Sequence, residues 1–228
     1  MIYLLTNFII GSCLASHAAV ICEHYNQSDF IFTRSHCTIC HSELSLLDEL
    51  PIISYIFLRG RCRYCHGQIS AHLFLIEVIG GFAYIQIDFS KIEGQLTAIL
   101  IFSLLLVAIY DATHSEFHLV MLLPAFFSIS YHISNLFKAE LLDYIEAFPI
   151  LILLVIYIFQ KKLGSGDLII YLILILYFNA HFANQVFLFG SIFLLSQFIL
   201  EKKNFSKKQA IPFIPDLFLG LIIQLMLN

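Results

Sequence analysis

The sequence predicts an all-α polytopic membrane protein of about eight transmembrane helices, with a small cytoplasmic tetracysteine zinc lobe between the first and second. Three observations carry this. The 228 residues are 60% hydrophobic and only 12% charged, with 23 Phe, no Trp and a mean hydropathy of +0.88, far from the profile of a soluble domain. Apolar windows near the ~20 residues that cross a ~30 Å hydrocarbon core as helix fall near 2–22, 73–90, 95–112, 118–137, 143–160, 167–183, 184–200 and 211–227. One orientation then places Arg34, Arg59, Arg61, Arg63, Lys161, Lys162, Lys202, Lys203, Lys207 and Lys208 inside and only Lys91 and Lys138 outside, as basic residues flanking spans prefer. Both termini fall outside in that arrangement. The net charge of -4 says little about partners, because distribution outweighs sum in such a protein.

The first element, 1–22, begins Met-Ile-Tyr-Leu-Leu without the basic residues of a signal peptide, so it is expected to remain as a membrane helix. Gly11 and Ser12 within it are small enough for close helix contact. Cys13 and Cys22 are expected to be buried thiols.

The second element, 23–71, is the one sizeable polar insertion. It carries Cys37-Thr-Ile-Cys40 and Cys62-Arg-Tyr-Cys65 with 21 residues between the pairs. Each turn offers two thiolates to one ion, and two turns complete a closed tetrahedral site, so structural Zn²⁺ is expected at Cys37, Cys40, Cys62 and Cys65. Two disulfides are the bland alternative, disfavoured on the cytoplasmic side, where thiols stay reduced. His36, His41 and His66 adjoin the cysteines, but four thiolates suffice. The lobe is too small to bury much core, so metal would supply much of its folding energy.

The third element, 72–228, holds the remaining spans, about seven. The division between the sixth and seventh is the least marked, with Asn179 to Gln185 offering the only turn. Two carboxylates stand where aqueous loops meet apolar segments. Asp111 ends a stretch of 17 residues from Gln95, ~25 Å of helix, so a helix entering from outside has nearly crossed there. Asp167 begins the sixth span from the same side, after Lys161-Lys162-Leu163-Gly164-Ser165-Gly166. Gly164 and Gly166 would let water or a substrate strand approach it. Alone, Asp167 reads equally as a helix N-cap and Asp111 as a hydrated interfacial acid. Together they form a functional pair, since acids at membrane depth default to that reading. Two carboxylates brought close would share one proton, because both cannot ionise cheaply.

Leu50-Pro51-Ile52-Ile53-Ser54-Tyr55-Ile56-Phe57-Leu58-Arg59-Gly60-Arg61-Cys62, the paired CxxC turns, Leu75-Ile76-Glu77, Asp111, Gly164-Ser165-Gly166-Asp167 and Ile211-Pro212-Phe213-Ile214-Pro215 resemble, in order and spacing, the type IV prepilin leader peptidase family, which includes the competence-pseudopilin peptidases. The resemblance implies a membrane aspartic endopeptidase with Asp111 and Asp167 as its catalytic pair facing the cytoplasm. It further implies an inner- or plasma-membrane location and prepilin or pseudopilin substrates whose short basic leader is cut before an apolar residue. N-methylation of the new terminus by S-adenosylmethionine, involving the position of Gly60, and a substrate or packing role for Glu77 are also implied. The lipid bilayer is the other expected partner; no nucleic acid is expected, and no GxGxxG is present. The chain departs from the family pattern at His118, where relatives carry Pro, and at Ile169, where they carry Lys. A presenilin- or signal-peptide-peptidase-like protease shares Tyr110-Asp111 and Gly-x-Gly-Asp but not the CxxC lobe. From a different class, a transporter would use Asp111 and Asp167 as ion ligands, and a non-catalytic assembly factor would need neither.

Overall fold

The computed structural model describes residues 2–25, 36–37, 39–136, 141–200 and 212–227, without the side chains of 132–142. Arg34, Lys138, Lys202, Lys203, Lys207, Lys208 and Ile211 lie outside the described residues. The described chain is helical, with no strand and only two isolated bridges, His36 to Glu43 and Arg61 to Gln68. It divides into two compact units, 1–87 and 88–228.

The first unit packs α1 (Ile2–His24) against α3 (Ala71–Tyr84), with the short α2 (Ile53–Phe57) in the lobe between them. Gly11, Ala15, Ala18, Ala19 and Cys22 line the buried side of α1, a run of small residues that lets two backbones approach closely. A Cβ on Gly11 would stand 2.8 Å from Tyr84 Cβ and overlap the Gly80 carbonyl. Asn7 Nδ2 donates to Ile87 O at 2.7 Å and Ser16 Oγ to Glu77 Oε1 at 2.9 Å, which fixes the helices as antiparallel with a defined register. Cys22 is buried as expected, but Cys13 is exposed, because it falls on the side of α1 facing away from α3.

The second unit comprises α4 (Ile92–His114), a 3-10 turn at Leu119–Leu122 leading into α5 (Leu123–Leu136), α6 (Leu141–Phe159), α7 (Ser165–Tyr177), α8 (Ala180–Leu200) and α9 (Ile214–Leu227). α4 runs through its core, with Leu100, Ile101, Leu105 and Val107 fully buried. Ser103 Oγ donates to Met121 O at 2.6 Å and Ser128 Oγ to Leu96 O at 3.1 Å, stitching the 3-10 turn and α5 to α4. Tyr171 donates to Asn184 Oδ1 at 2.6 Å and Asn184 Nδ2 to Glu146 O at 3.0 Å, joining α7, α8 and α6. Such bonds replace the hydrophobic drive that helices lack against one another in lipid.

Among the described residues three helices, α1, α4 and α8, are long and apolar enough to cross a membrane. α3, α7, α9 and the 119–131 segment are apolar but shorter; 14 residues reach only ~21 Å. An eight-span arrangement therefore remains an expectation. The turn between α7 and α8 falls earlier than the sequence windows put it. Asn179 accepts from Phe182 N at 2.7 Å and caps α8, so the break comes at 178–179.

Candidate active site and tetracysteine centre

Asp111 sits in the last turn of α4 and Asp167 in the first turn of α7. At the opposite ends of these helices the Tyr177 hydroxyl meets Thr97 Oγ1 at 2.9 Å and Glu93 O at 3.2 Å. The two helices therefore run antiparallel, and the two acids come to the same end of the unit. Each is only 6% exposed, and their carboxylates lie within electrostatic reach of one another. The Gly164 amide faces Asp167. Asp111 Oδ2 accepts from Ile214 N at 3.3 Å, so the Pro212-Phe213-Ile214-Pro215 entry to α9 supplies a backbone donor to one of its oxygens.

The two glycines of the motif differ. Gly164 has φ -74° and ψ 150°, which any residue adopts, and an added Cβ would meet nothing nearer than 3.9 Å. At Gly166 a Cβ would stand 3.0 Å from Phe117 Cζ and closer still to Cε1. Gly166 is therefore the position that lets the loop after α4 close over the start of α7. In that loop His118 Nε2 pairs with the Tyr110 hydroxyl at 3.2 Å, and Tyr110 stacks on His114 at 4.2 Å between ring centroids. A ring contact and a hydrogen bond thus order the segment where the family pattern has Pro. Ile169 is half-buried in α7.

One buried acid went unremarked in the sequence. Asp216 in α9 is 2% exposed and accepts from Gln197 Nε2 of α8 at 2.8 Å. Its only signal was an acid just inside an apolar run, a position that also suits the helix N-terminus.

Glu77 is held within the first unit. Oε1 takes the Ser16 hydroxyl and Oε2 the Ile52 amide at 2.7 Å. Ile52 itself has φ 61° and ψ -52°, and Ile53 N reaches back to Pro51 O at 2.5 Å. That is the rare γ-turn with positive φ, a costly conformation for a β-branched residue. Gly60 (φ 66°) is buried beneath Tyr55, whose hydroxyl would lie 2.9 Å from an added Cβ.

The two CxxC turns are built alike. Cys37 N bonds Ser42 O at 3.0 Å and Cys62 N bonds Gly67 O at 2.9 Å; His41 N returns to Cys37 O at 2.9 Å and His66 N to Cys62 O at 3.0 Å. His41 and His66 occupy equivalent left-handed positions, φ 56° and 57°, so both serve as turn residues. The four sulfurs lie within 4.8 Å of one another, with Cys37 and Cys65 3.9 Å apart. Tetrahedral Zn²⁺ with Zn–S near 2.3 Å calls for sulfurs about 3.8 Å apart, whereas a disulfide needs about 2.05 Å. The donor set thus fits a metal such as zinc. The Ser42 hydroxyl draws the Cys40 thiol down to about 6, and the Cys65 and Tyr64 amides lower Cys62, both favouring the ligating thiolate. Cys65 rises to about 11: the Gly67 amide lowers it, but desolvation and the neighbouring sulfurs outweigh that. A cation among the four would favour the thiolate at each of them.

The described chain is thus helical, with helices apolar and long enough to cross a membrane and an insertion whose four cysteines could hold a metal ion. Residues 9–90 match the family model of the bacterial peptidase A24 N-terminal domain. That match spans 82 of the 228 residues and supports the resemblance to the type IV prepilin peptidase family. It ends before the helices that carry Asp111 and Asp167. No curated protein matches the sequence, and no solved structure does.

Proposed function

We propose that the protein is a membrane-embedded aspartic endopeptidase that removes the short basic leader of type IV prepilins or pseudopilins at the cytoplasmic face. The observation that carries this reading is the convergence of Asp111 and Asp167, both nearly buried and from antiparallel helices, within electrostatic reach of each other. The peptidase A24 match at residues 9–90 supports the same reading independently. The cytoplasmic side rests on the distribution of Lys and Arg.

In the proposed reaction the ionised member of the pair takes a proton from water as the water oxygen bonds to the scissile carbonyl carbon. The protonated member donates to the carbonyl oxygen. Collapse of the resulting diol breaks the C–N bond, and the departing amine takes a proton. Two carboxylates sharing one proton supply both roles. The Ile214 amide holds one Asp111 oxygen throughout.

Zinc at Cys37, Cys40, Cys62 and Cys65 would be structural, because four protein ligands leave no open position. Methylation of the new terminus with S-adenosylmethionine rests on the family resemblance alone; the backbone at Gly60 is accounted for by its turn and by Tyr55.

Co-expression with a prepilin bearing a basic leader, followed by mass spectrometry of the product's N-terminus, reads cleavage and methylation together. Leader removal is expected, and Asp111→Asn or Asp167→Asn should abolish it while leaving the protein in the membrane. An intact leader with the wild-type protein, or removal by both variants, overturns the assignment.

A further inference from the structure

The lobe folds back along α3 instead of standing clear of it. Ser16, level with Glu77, lies eight residues inside the end of α1 at His24, ~12 Å along a helix, and α1 is long and apolar enough to span. Glu77 binds the Ile52 amide at 2.7 Å. Even with the Glu side chain leaning about one turn toward the start of α3, Ile52 lies beside the helix and not beyond its end. Tyr55 confirms the depth, stacking at 4.9 Å on Phe74, three residues inside α3.

With Tyr55 turned inward, α2 presents Ile53, Ile56 and Phe57 on one face, at i, i+3 and i+4. They are 46%, 60% and 82% exposed, and Leu46 and Leu47 before them are also exposed. Arg59 and Arg61, both exposed, follow directly. We propose that α2 is an interfacial helix: its Ile53–Ile56–Phe57 face lies at the boundary of headgroups and acyl chains, and Arg59 and Arg61 bind anionic lipid headgroups. An apolar patch of this kind is unfavourable in water. Beside the first turns of α3, which packs on the spanning-length α1, and flanked by basic residues, it has the composition and depth of a helix lying in the interface. The inference depends on the membrane setting and the lobe geometry, not on the peptidase reading.

The chain has no tryptophan, so Phe57→Trp introduces a single reporter. The full-length variant in nanodiscs of phosphatidylcholine and phosphatidylglycerol would be compared with lipids brominated high on the acyl chain or near its end. Blue-shifted emission is expected, with shallow bromine quenching about twofold more than deep bromine. Tyr64→Trp, on the exposed edge of a CxxC turn, should respond to aqueous acrylamide and not to brominated lipid. Shallow quenching should fall in Arg59→Gln/Arg61→Gln, or when phosphatidylglycerol is left out; no change in either case overturns the headgroup contact. A Phe57→Trp signal quenched freely by acrylamide, or shielded from acrylamide and lipid alike because protein covers the face, overturns the interfacial placement. Should Phe57→Trp not fold, Ile56→Trp on the same face carries the measurement.

Discussion

Glu77→Ala tests how the lobe is held to the membrane helices. The change removes the acceptor of two hydrogen bonds, from Ser16 Oγ at 2.9 Å and Ile52 N at 2.7 Å. A bond to an ionised acceptor nets about 1.5–3 kcal/mol. Glu77 is half-buried, so water takes over part of each lost bond, and about 1.5 kcal/mol apiece is the appropriate scale. Against this, Ile52 at φ 61° is freed to relax, which returns about 1 kcal/mol to the variant. The net loss is about 2 kcal/mol, or about a thirtyfold rise in local opening. Hydrogen exchange read by mass spectrometry over residues 50–58 should show that drop in protection, with α4 unchanged. Glu77→Gln keeps a carbonyl oxygen for the Ile52 amide and offers its NH2 to the Ser16 oxygen, so it should lose less than about tenfold. Equal losses in the two variants, or undiminished protection in Glu77→Ala, would refute the latch. Leader cleavage should survive in Glu77→Gln, which separates holding from chemistry.

Other consequences can be read from single positions. Gly166→Ala should cost cleavage through its clash with the Phe117 ring and recover when combined with Phe117→Ala, whereas Gly164→Ala should behave as wild type; the same prepilin assay reads all three. Cys37→Ser or Cys62→Ser should lower bound zinc measured by elemental analysis and reduce folded yield, since a metal held by the four thiolates would supply folding energy. Ser45 and Arg63 hold the Asp48 carboxyl below the usual range. Its contribution is therefore present in full above the ordinary Asp value of about 4 and lost as pH falls through the lower folded value. Proteolysis of the 42–50 loop should rise in acid for wild type, and Asp48→Asn should be cut at neutral pH as readily as wild type is in acid.

Some of the site was legible because its chemistry is written as spacing. Two CxxC pairs announce a four-sulfur centre from sequence alone, and the geometry at Cys37 and Cys65 fits it. Asp111 and Asp167 were legible as acids at the ends of apolar runs, where a charge needs a reason. Helix length was less so: hydropathy shows that a segment is apolar but not where Asn179 stops a helix or how short α3 and α9 become. The setting of Glu77 was not legible, because nothing in sequence reveals that Ile52, 25 residues earlier, hands it a backbone amide.

Asp216 shows where such reading ends. An acid in the first turn of a helix already suits the helix dipole, so its type and position ask for no further explanation. Its burial arises from the approach of α8 and α9. A Cβ on Gly220 would lie 2.8 Å from Gly190 N, and one on Gly190 would lie 3.1 Å from Leu217 Cα, so the two glycines allow the backbones to close over the carboxylate. Gln197 then provides the donor that a buried carboxylate requires. Each residue is unremarkable by itself, and only the interhelix distance gives them a joint role. Asp111 depends on the same assembly, because its Ile214 donor stands two residues before Asp216. The proposed catalytic pair was visible as two acids, but the support for one of them lies in a helix contact that no spacing rule encodes.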